Sequence, residues 1–304
     1  MKTFSIIVLI SFMLSLHCSA QEPVKDKISY FKVAANYLSN AVYSGRKDSS
    51  IVPYFRPSLG YYNKSGFFAS AGMSVLVSPS EPLQVDLITT EVGYEFSLSE
   101  HVSGGLSASK FFYSDASFAS TSELKGAVGV NLTYDLPVIT FGTGAELLFS
   151  TNTDINANIN VSHSFGLDEN KQLQVTPTFQ VNAGTQYFNQ AYYEFRKFSV
   201  PTSGGSGGSS GNGSNRGKGH SHGSGSSTTT VQTITFTNQN KFSILDYEIS
   251  LPVTYDLSKW GIFLIPYYVL PTSAANYVIN GQLKKEQLTN TFFIELGAYL
   301  KLHK

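Results

Sequence analysis

Apolar and polar residues alternate with a period of two along most of the chain. Between positions 123 and 134, one face carries Leu124, Gly126, Val128, Val130, Leu132 and Tyr134, and the other carries Glu123, Lys125, Ala127, Gly129, Asn131 and Thr133. The same separation recurs over 154–165 and 292–302. Because successive side chains of a strand point to opposite faces, this period over a dozen residues predicts β-strands. The pattern predicts strands at 28–43, 51–62, 67–78, 83–97, 101–113, 123–135, 138–149, 154–166, 173–187, 242–255, 261–270 and 289–302.

These segments are longer than the strands of ordinary globular sheets. Globular strands average about five or six residues, whereas roughly 9 to 11 residues are needed to cross a bilayer at a tilt. Beyond position 20, no stretch approaches 18 consecutive apolar residues, which excludes a transmembrane helix there. The even number of segments is typical of single-chain bacterial barrels. The sequence therefore predicts an all-β protein, an antiparallel transmembrane β-barrel of about 12 strands.

The connections between the segments sort by length. With the first strand running outward, the even-numbered connections are all tight, and they are 63–66, 97–100, 136–137, 167–172 and 256–260. The odd-numbered connections contain every long loop, namely 114–122, 188–241 and 271–288. Short periplasmic turns and long extracellular loops are how outer-membrane barrels are built. A soluble sandwich has no reason to sort its loops in this way.

The positions of aromatic residues support the predicted strands, and the positions of prolines count against some of their boundaries. Aromatic residues lie mostly near strand ends, where interfacial girdles would sit, although a soluble aromatic core is the alternative. They are Tyr61, Tyr62, Phe67, Phe68, Phe111, Phe112, Tyr113, Tyr187, Tyr267, Tyr268, Phe292 and Phe293. Prolines at 53, 57, 177, 252 and 266 fall inside predicted strands. Each proline removes a ladder hydrogen bond, so bulges or shifted strand ends are expected there.

The first twenty residues are typical of a cleavable export signal. Lys2 provides a positive start, positions 4–16 form an apolar core, and small residues precede Gln21. The prediction is a signal peptide at 1–20, cleaved near Ala20-Gln21, followed by one outer-membrane barrel domain at 21–304. The alternative is a lipoprotein signal with an acylated Cys18. If residues 1–20 are removed, the only cysteine leaves with them, which excludes a disulfide from the mature chain.

The loop 188–241 contains a segment of low complexity. Glycine and serine dominate positions 203–227, a composition that cannot bury a core and predicts a flexible extracellular loop. His220 and His222 in this segment are weak candidates for a metal site, because two ligands on a mobile loop make a poor one. A solvated spacer is the alternative.

Composition and motifs exclude several kinds of chemistry. Removal of Lys2 with the signal leaves 20 basic and 21 acidic residues, so no basic field indicates a nucleic-acid partner. No phosphate loop, zinc spacing or Gly-rich dinucleotide turn occurs, and no cofactor is expected.

His101 and Ser103 share a strand face and resemble the catalytic pair of outer-membrane phospholipase A at these two residues alone. Since no third group completes a triad, we expect no enzyme activity, with an outer-membrane hydrolase as a lesser alternative. His163 lies on the lipid-facing parity of its strand, which places it near an interface.

Short motifs give a resemblance to a known class. The sequence Thr-Tyr-Asp-Leu occurs at 133–136 and again at 254–257, and the signal ends Ala20-Gln21. In these features the chain resembles outer-membrane β-barrel proteins of Bacteroidetes-type Gram-negative bacteria. The resemblance implies location in the cell outer membrane, with outer-membrane lipid and the barrel assembly machinery as partners. Such barrels usually end on an aromatic residue, whereas this chain ends Leu302-His303-Lys304, and Tyr299 is the aromatic that could substitute.

The inward parity of the strands gives the functional hypothesis. It carries Lys32, Arg56, Glu91, Glu95, Glu123, Lys125, Glu146, Asp154, Asp246, Glu248, Glu295 and Lys301, among many small polar residues. If the lumen is open, this acidic excess predicts a passive, weakly cation-preferring, porin-like channel for small cations or solutes. If the charges pair across a narrow barrel, they close it. The protein would then be a structural or adhesive barrel whose extracellular loops bind partners or surfaces.

Overall fold

The computed structural model describes residues 28–47, 52–77, 83–114, 124–188, 235–237, 239–279 and 281–303. Within these ranges the chain is built from β-strands. They are β1 (Tyr30–Leu38), β2 (Val42–Tyr43), β3 (Arg46–Lys47), β4 (Tyr54–Tyr62), β5 (Phe67–Leu76), β6 (Gln84–Ser97), β7 (Val102–Tyr113), β8 (Gly126–Asp135), β9 (Thr140–Phe149), β10 (Thr153–Ser162), β11 (Phe165–Gly166), β12 (Leu173–Val175), β13 (Thr178–Gly184), β14 (Thr235–Thr237), β15 (Ser243–Ser250), β16 (Val253–Asp256), β17 (Trp260–Pro271), β18 (Asn276–Ile279), β19 (Gln282–Lys285) and β20 (Thr291–His303).

Twelve of the described strands close into one antiparallel barrel. Its order is β1, β4, β5, β6, β7, β8, β9, β10, β13, β15, β17 and β20. Strand β20 pairs with β17 on one side and with β1 on the other, which closes the sheet. Short strands β11, β12 and β16 extend the barrel beyond β10, β13 and β15. The prediction of an all-β antiparallel transmembrane barrel of about 12 strands is confirmed.

The two ends of the barrel have unlike connections. The repeated Thr-Tyr-Asp-Leu motif forms the same turn twice at one end. The N–H of Leu136 donates to the carbonyl of Ile139 over 2.9 Å, and the N–H of Leu257 donates to the carbonyl of Trp260 over 2.8 Å. We call this the short-turn end. The opposite, long-loop end carries one tight turn at 150–152 and the connections 39–53, 77–83, 114–125, 185–242 and 272–290.

Alternation along the strands gives the barrel an apolar outer face. Its exposed residues include Val33, Leu59, Val92, Leu106, Val130, Ile159, Ile249 and Leu296. Adjacent aromatic residues point to opposite faces, so Phe67, Phe112 and Phe292 are exposed outside while the residue next to each is half-buried or buried. Only one member of each such pair can therefore contribute to an interfacial girdle. Among the described residues, no helix is long and apolar enough to span a membrane.

Three of the five prolines lie at a strand end or between two strands, as predicted. Pro177 and Pro252 fall between consecutive short strands, and Pro53 precedes the start of β4. Pro57 lies inside β4, whose pairing with β5 keeps one register on both sides of it, and Pro266 lies inside an unbroken β17. At Pro57 and Pro266 the prediction of a bulge or a shifted strand end is therefore wrong. The pairing of β4 with β5 skips Pro57, so the strand continues without a bond from that nitrogen.

The long-loop end contains strands that the alternating pattern does not predict. The segment 28–43 is not one strand, because β1 ends at Leu38 and the chain then forms a separate hairpin of β2 and β3. Strands β14, β18 and β19 form a small antiparallel sheet from the two longest connections. The predicted signal peptide at 1–20, the segment 203–227 with His220 and His222, and Glu123 lie outside the described residues.

Candidate functional site

The lumen of the barrel has two chemically unlike walls. Inward positions of β7 to β10 carry small and amide side chains, among them Ser107, Gly129, Asn131, Gly144 and Asn158. Inward positions of β17, β20, β1 and β4 carry large aromatic rings instead. These include Tyr267, Phe293, Tyr299, Tyr30 and Tyr62. The space inside the barrel therefore lies nearer the amide wall.

Glycines on neighbouring strands let the amide side chains lie close to the wall. A Cβ atom on Gly142 would meet the amide of Asn160 at 2.5 Å, and one on Gly144 would meet Asn158 at 3.0 Å. The same relation joins Gly184 with Asn156, at 2.4 Å. Since a methyl group would push each amide inward, the Gly-Asn pairs keep this side of the lumen wide.

Aromatic rings cover glycines on the opposite wall in the same manner. Tyr30 stacks on Tyr62 with ring centroids 5.1 Å apart, and Tyr62 stacks on Phe68 at 5.7 Å. The ring of Phe68 lies over Gly93, where a Cβ atom would meet it at 2.4 Å. This row of rings lies at the short-turn end and extends from β1 to β5.

Two adjoining cavities lie in the lumen, one between the row of rings and the amide wall and the other against the amide wall. One has a volume of about 330 Å³ and is lined in part by Phe68, Glu91 and Glu95. The other has a volume of about 390 Å³ and is lined in part by Glu146, Asn158 and Asn160. They share Ser107 and Asn131, so they form one continuous groove.

Three of the four cationic candidates cluster on the aromatic wall. The guanidinium of Arg56 pairs with the carboxylate of Glu295 at 2.8 Å, and the amide of Asn36 donates to the same carboxylate. The ammonium groups of Lys32 and Lys301 lie over the ring of Tyr299, with nitrogen-to-centroid distances of 4.8 and 5.1 Å.

Apart from Glu295, the described acidic candidates divide into two groups. Glu91, Glu95, Glu146 and Glu248 make no ion pair with any described residue. Asp154 and Asp246 are buried and bonded at the long-loop end. The carboxylate of Asp154 accepts bonds from the Thr185 hydroxyl and from the N–H groups of Tyr187 and Phe188, at 2.7 to 2.9 Å. That of Asp246 accepts from Asn182 at 2.7 Å. These two aspartates therefore stabilise the long-loop end of the barrel, whereas the four glutamates have no ion-pair partner among the described residues and can contact a solute.

Lys125 does not share the face of the other candidates. Both Lys125 and Gly126 face Phe149 of β9, which is the pattern of a bulge. The bulge reverses the alternation, so Leu124 is buried against Ala127 while Lys125 is exposed. A bulge of this kind cannot be found from the alternation of 123–134 alone, because the sequence continues the period without a break.

The β2–β3 hairpin folds into the long-loop end of the lumen. Tyr43 packs against Leu124 and Leu148, which lie across the barrel from β1. Its hydroxyl accepts a bond from Asn156 at 3.3 Å, and burial raises the pKa of Tyr43, so the phenol stays protonated. Gly45 at the tip has a φ of +76° and lies against Pro271 and Asp246. The hairpin therefore crosses the mouth of the barrel.

All three nitrogens of the Arg46 guanidinium donate hydrogen bonds, and these bonds fix the hairpin. Its Nε lies 3.0 Å and its NH2 nitrogen 3.0 Å from the carboxylate of Glu286, which is also buried. The remaining N–H groups donate to the carbonyls of Ser44 and Ser273 and to the side chain of Gln186, at 2.8 to 3.1 Å. Three loops of the long-loop end thus converge on one arginine.

Neither Arg46 nor Glu286 was a candidate from the sequence. The sequence Val-Tyr-Ser-Gly-Arg-Lys could have indicated the hairpin, because the turn dipeptide Ser-Gly separates two short segments that can form strands. The φ angles of +47° at Ser44 and +76° at Gly45 are those of a type I′ turn. Nothing local indicates that its arginine pairs with a residue 240 positions later.

The histidine candidates occupy separate places. His101 is exposed at the short-turn end, and no described hydrogen bond joins its imidazole to Ser103, which lines the groove. His163 packs edge-on against Phe165 with ring centroids 4.4 Å apart. Among the described residues, no group of three or more His, Cys, Asp or Glu could hold a metal ion.

Comparisons give distant similarities. No family model and no curated protein matches the chain. Among solved structures, the NanC porin is 12% identical with a TM-score of 0.46, over 90% of this chain and 100% of that chain. The KdgM porin is 9% identical with a TM-score of 0.44, over 91% and 100%. An outer membrane channel from Pseudomonas putida F1 is 8% identical with a TM-score of 0.45, over 93% and 100%. What this chain does is therefore inferred from its own residues.

Proposed function

We propose that this protein is an outer-membrane barrel that acts as a passive, weakly cation-preferring channel for small solutes. The apolar outer face of a closed barrel supports insertion in lipid, and the polar groove along one wall supports a path for water. No chemical step is part of the proposal. A relationship to Bacteroidetes-type barrels stays a prediction from the short motifs.

The observation that carries the proposal is the set of four glutamates without an ion pair. Glu91, Glu95 and Glu146 line the groove, and Glu248 lies inward on β15. The Arg56 guanidinium is already paired with Glu295, so it compensates little of this charge. Carboxylates along a narrow aqueous path attract cations and repel anions.

The β2–β3 hairpin would be the constriction of this channel. It crosses the long-loop end, and Arg46 ties it to the last long connection through Glu286. A solute entering from outside would pass beside this hairpin before it reaches the groove. The hairpin therefore sets the size limit in this proposal, and the glutamates set the charge preference.

The test is the reversal potential of the refolded chain 21–304 in a planar bilayer under a salt gradient. The wild type should show a potential on the cation side, and the double variant Glu91→Gln/Glu146→Gln should shift it towards zero because two lumen charges are removed. Glu169→Gln, an exposed residue in a short turn, is the matched control and should leave the potential unchanged. Equal potentials for wild type and double variant would contradict the proposed selectivity.

The second candidate is a closed barrel whose outer loops bind partners or surfaces. The hairpin across the mouth, with its buried Arg46, favours it. In that case the folded and inserted protein would show no conductance steps. Deletion of 203–227 would then weaken adhesion and leave folding intact.

A further inference from the structure

The groove on the amide wall holds three side chains whose hydrogen-bonding groups are unused. The amides of Asn131, Asn158 and Asn160 line it, and none of them bonds to a described side chain or backbone group. Nearer the long-loop end, the amides of Asn156 and Asn182 are already bonded, to Tyr43 and Asp246. The three free asparagine amides therefore line the two cavities, away from the bonded amides.

Each free amide offers two N–H donors and one carbonyl acceptor. Glu91, Glu95 and Glu146 add carboxylate acceptors, and Ser107 adds a hydroxyl. A ligand that uses this set must both donate and accept along its whole length. Hydroxyl groups do both, whereas an anionic group would face three carboxylates.

Phe68 gives the groove one apolar surface. Its ring lies over Gly93, is only partly buried, and lines the first cavity. It belongs to the row of stacked rings that includes Tyr62 and Tyr30. A sugar ring has an apolar C–H face and a rim of hydroxyl groups, which match an aromatic face beside amides and carboxylates.

The dimensions fit more than one ring. Cavities of about 330 and 390 Å³ are each within the roughly 300–1,000 Å³ that proteins use for small-molecule ligands. They meet at Ser107 and Asn131, so a ligand of two linked rings could occupy both.

We propose that the groove is a binding site for non-anionic disaccharides, with one ring against Phe68 and the other among Asn131, Asn158 and Asn160. The site names the solute class of the channel proposed above, and in that sense it rests on that function. Its acidic residues discriminate against sugar acids of the same size.

The experiment is calorimetric titration of the refolded chain 21–304 in detergent micelles. Maltose, cellobiose and lactose are the neutral probes, and digalacturonic acid is the anionic probe of matching size. At least one neutral disaccharide should bind saturably, and digalacturonic acid should bind at least about tenfold more weakly at low salt. No saturable binding of any neutral probe, or equal binding of the acid, would overturn the proposal.

Substitutions of the groove asparagines test whether the disaccharide binds there. Asn158→Leu and Asn160→Leu should each weaken binding about threefold to tenfold, because a ligand hydroxyl loses its partners. Asn290→Leu, an exposed asparagine outside the groove, is the matched control and should bind as the wild type does. Circular dichroism and heat-dependent gel migration establish that each variant is folded. A folded Asn158→Leu/Asn160→Leu variant with unchanged affinity would show that the ligand lies elsewhere and would overturn the assignment.

The binding test is independent of conduction. Micelles require no pore, so saturable binding by a protein that is silent in bilayers would overturn the channel and leave the site. Cation-selective conductance without sugar binding would overturn the site and leave the channel.

Discussion

At the scale of single residues, the guanidinium of Arg46 is held by bonds from three loops. It is 4% exposed, and its partner Glu286 is 8% exposed. Burying two charges costs several kcal/mol per ion unless their remaining donors and acceptors are bonded. Ser44, Ser273 and Gln186 take up the other N–H groups of Arg46, and the N–H of Ala275 donates to Glu286. The pair therefore fixes the position of the hairpin and leaves no orphaned charge.

Removal of one partner should release the hairpin. In Glu286→Ala the buried guanidinium loses its counter-ion, a change that typically costs about 3–5 kcal/mol. We expect the hairpin to leave the lumen, so that a thiol introduced as Ser44→Cys reacts faster with a maleimide. The rate of labelling in refolded protein measures this effect.

Two further variants complete the comparison. Lys284→Ala changes an exposed residue of the neighbouring β19 and should not alter labelling. Arg46→Met/Glu286→Leu removes both charges and should restore most of the protection. Slow labelling of the Glu286→Ala variant would show that the ion pair does not hold the hairpin.

At the scale of the strands, glycine positions determine the width of the lumen. Asn158 and Asn160 of β10 lie over Gly144 and Gly142 of β9, and their pairing follows from the strand register. The sequence shows the asparagines and the glycines on their respective faces. Only the register between β9 and β10 brings each amide over a glycine.

Gly142→Ala should therefore narrow the lumen without unfolding the barrel. The new methyl group would lie 2.5 to 2.9 Å from the amide of Asn160, which must move inward. Gly129→Ala is the matched control, since its methyl group would meet nothing closer than 3.6 Å. We expect a lower single-channel conductance for Gly142→Ala alone, measured in planar bilayers. Equal conductance in the two variants would contradict the role of the Gly-Asn pairs.

At the scale of the whole molecule, the barrel is inverted relative to a soluble protein. Its large apolar residues are exposed outside, and its polar residues line the interior. This arrangement is stable only when lipid covers the outer face. Among the twelve described barrel strands, the closed ring of pairings leaves no unpaired edge in that environment.

Two adjacent residues of β8 test this inversion. Val130 is 41% exposed on the outer face, and Asn131 lines the groove. Val130→Arg should lower the free energy of folding into lipid vesicles by about 2–4 kcal/mol, because the charge would lie in hydrocarbon. Asn131→Arg should cost far less, since water reaches the lumen. Urea titrations in vesicles give both values, and equal costs would contradict the assignment of faces.

Much of the barrel follows from local sequence. The boundaries of β5, β6 and β7 fall within two residues of those predicted from alternation, because these strands have one apolar and one polar face throughout. The strands next to Pro177 and Pro252 are shorter than predicted, since proline interrupts the ladder there. The predicted strand 28–43 fails after Leu38, where apolar residues belong to a loop that is buried inside the barrel.

By itself, the sequence determined the fold class and the approximate strands, because a period of two depends only on neighbouring residues. Only the tertiary structure decided that Arg46 meets Glu286, that the first long loop crosses the mouth, and that free amides and free glutamates share one groove. Each of these depends on contacts between residues far apart in the chain. Closure of the sheet and strand register fix such contacts, and no local pattern records them.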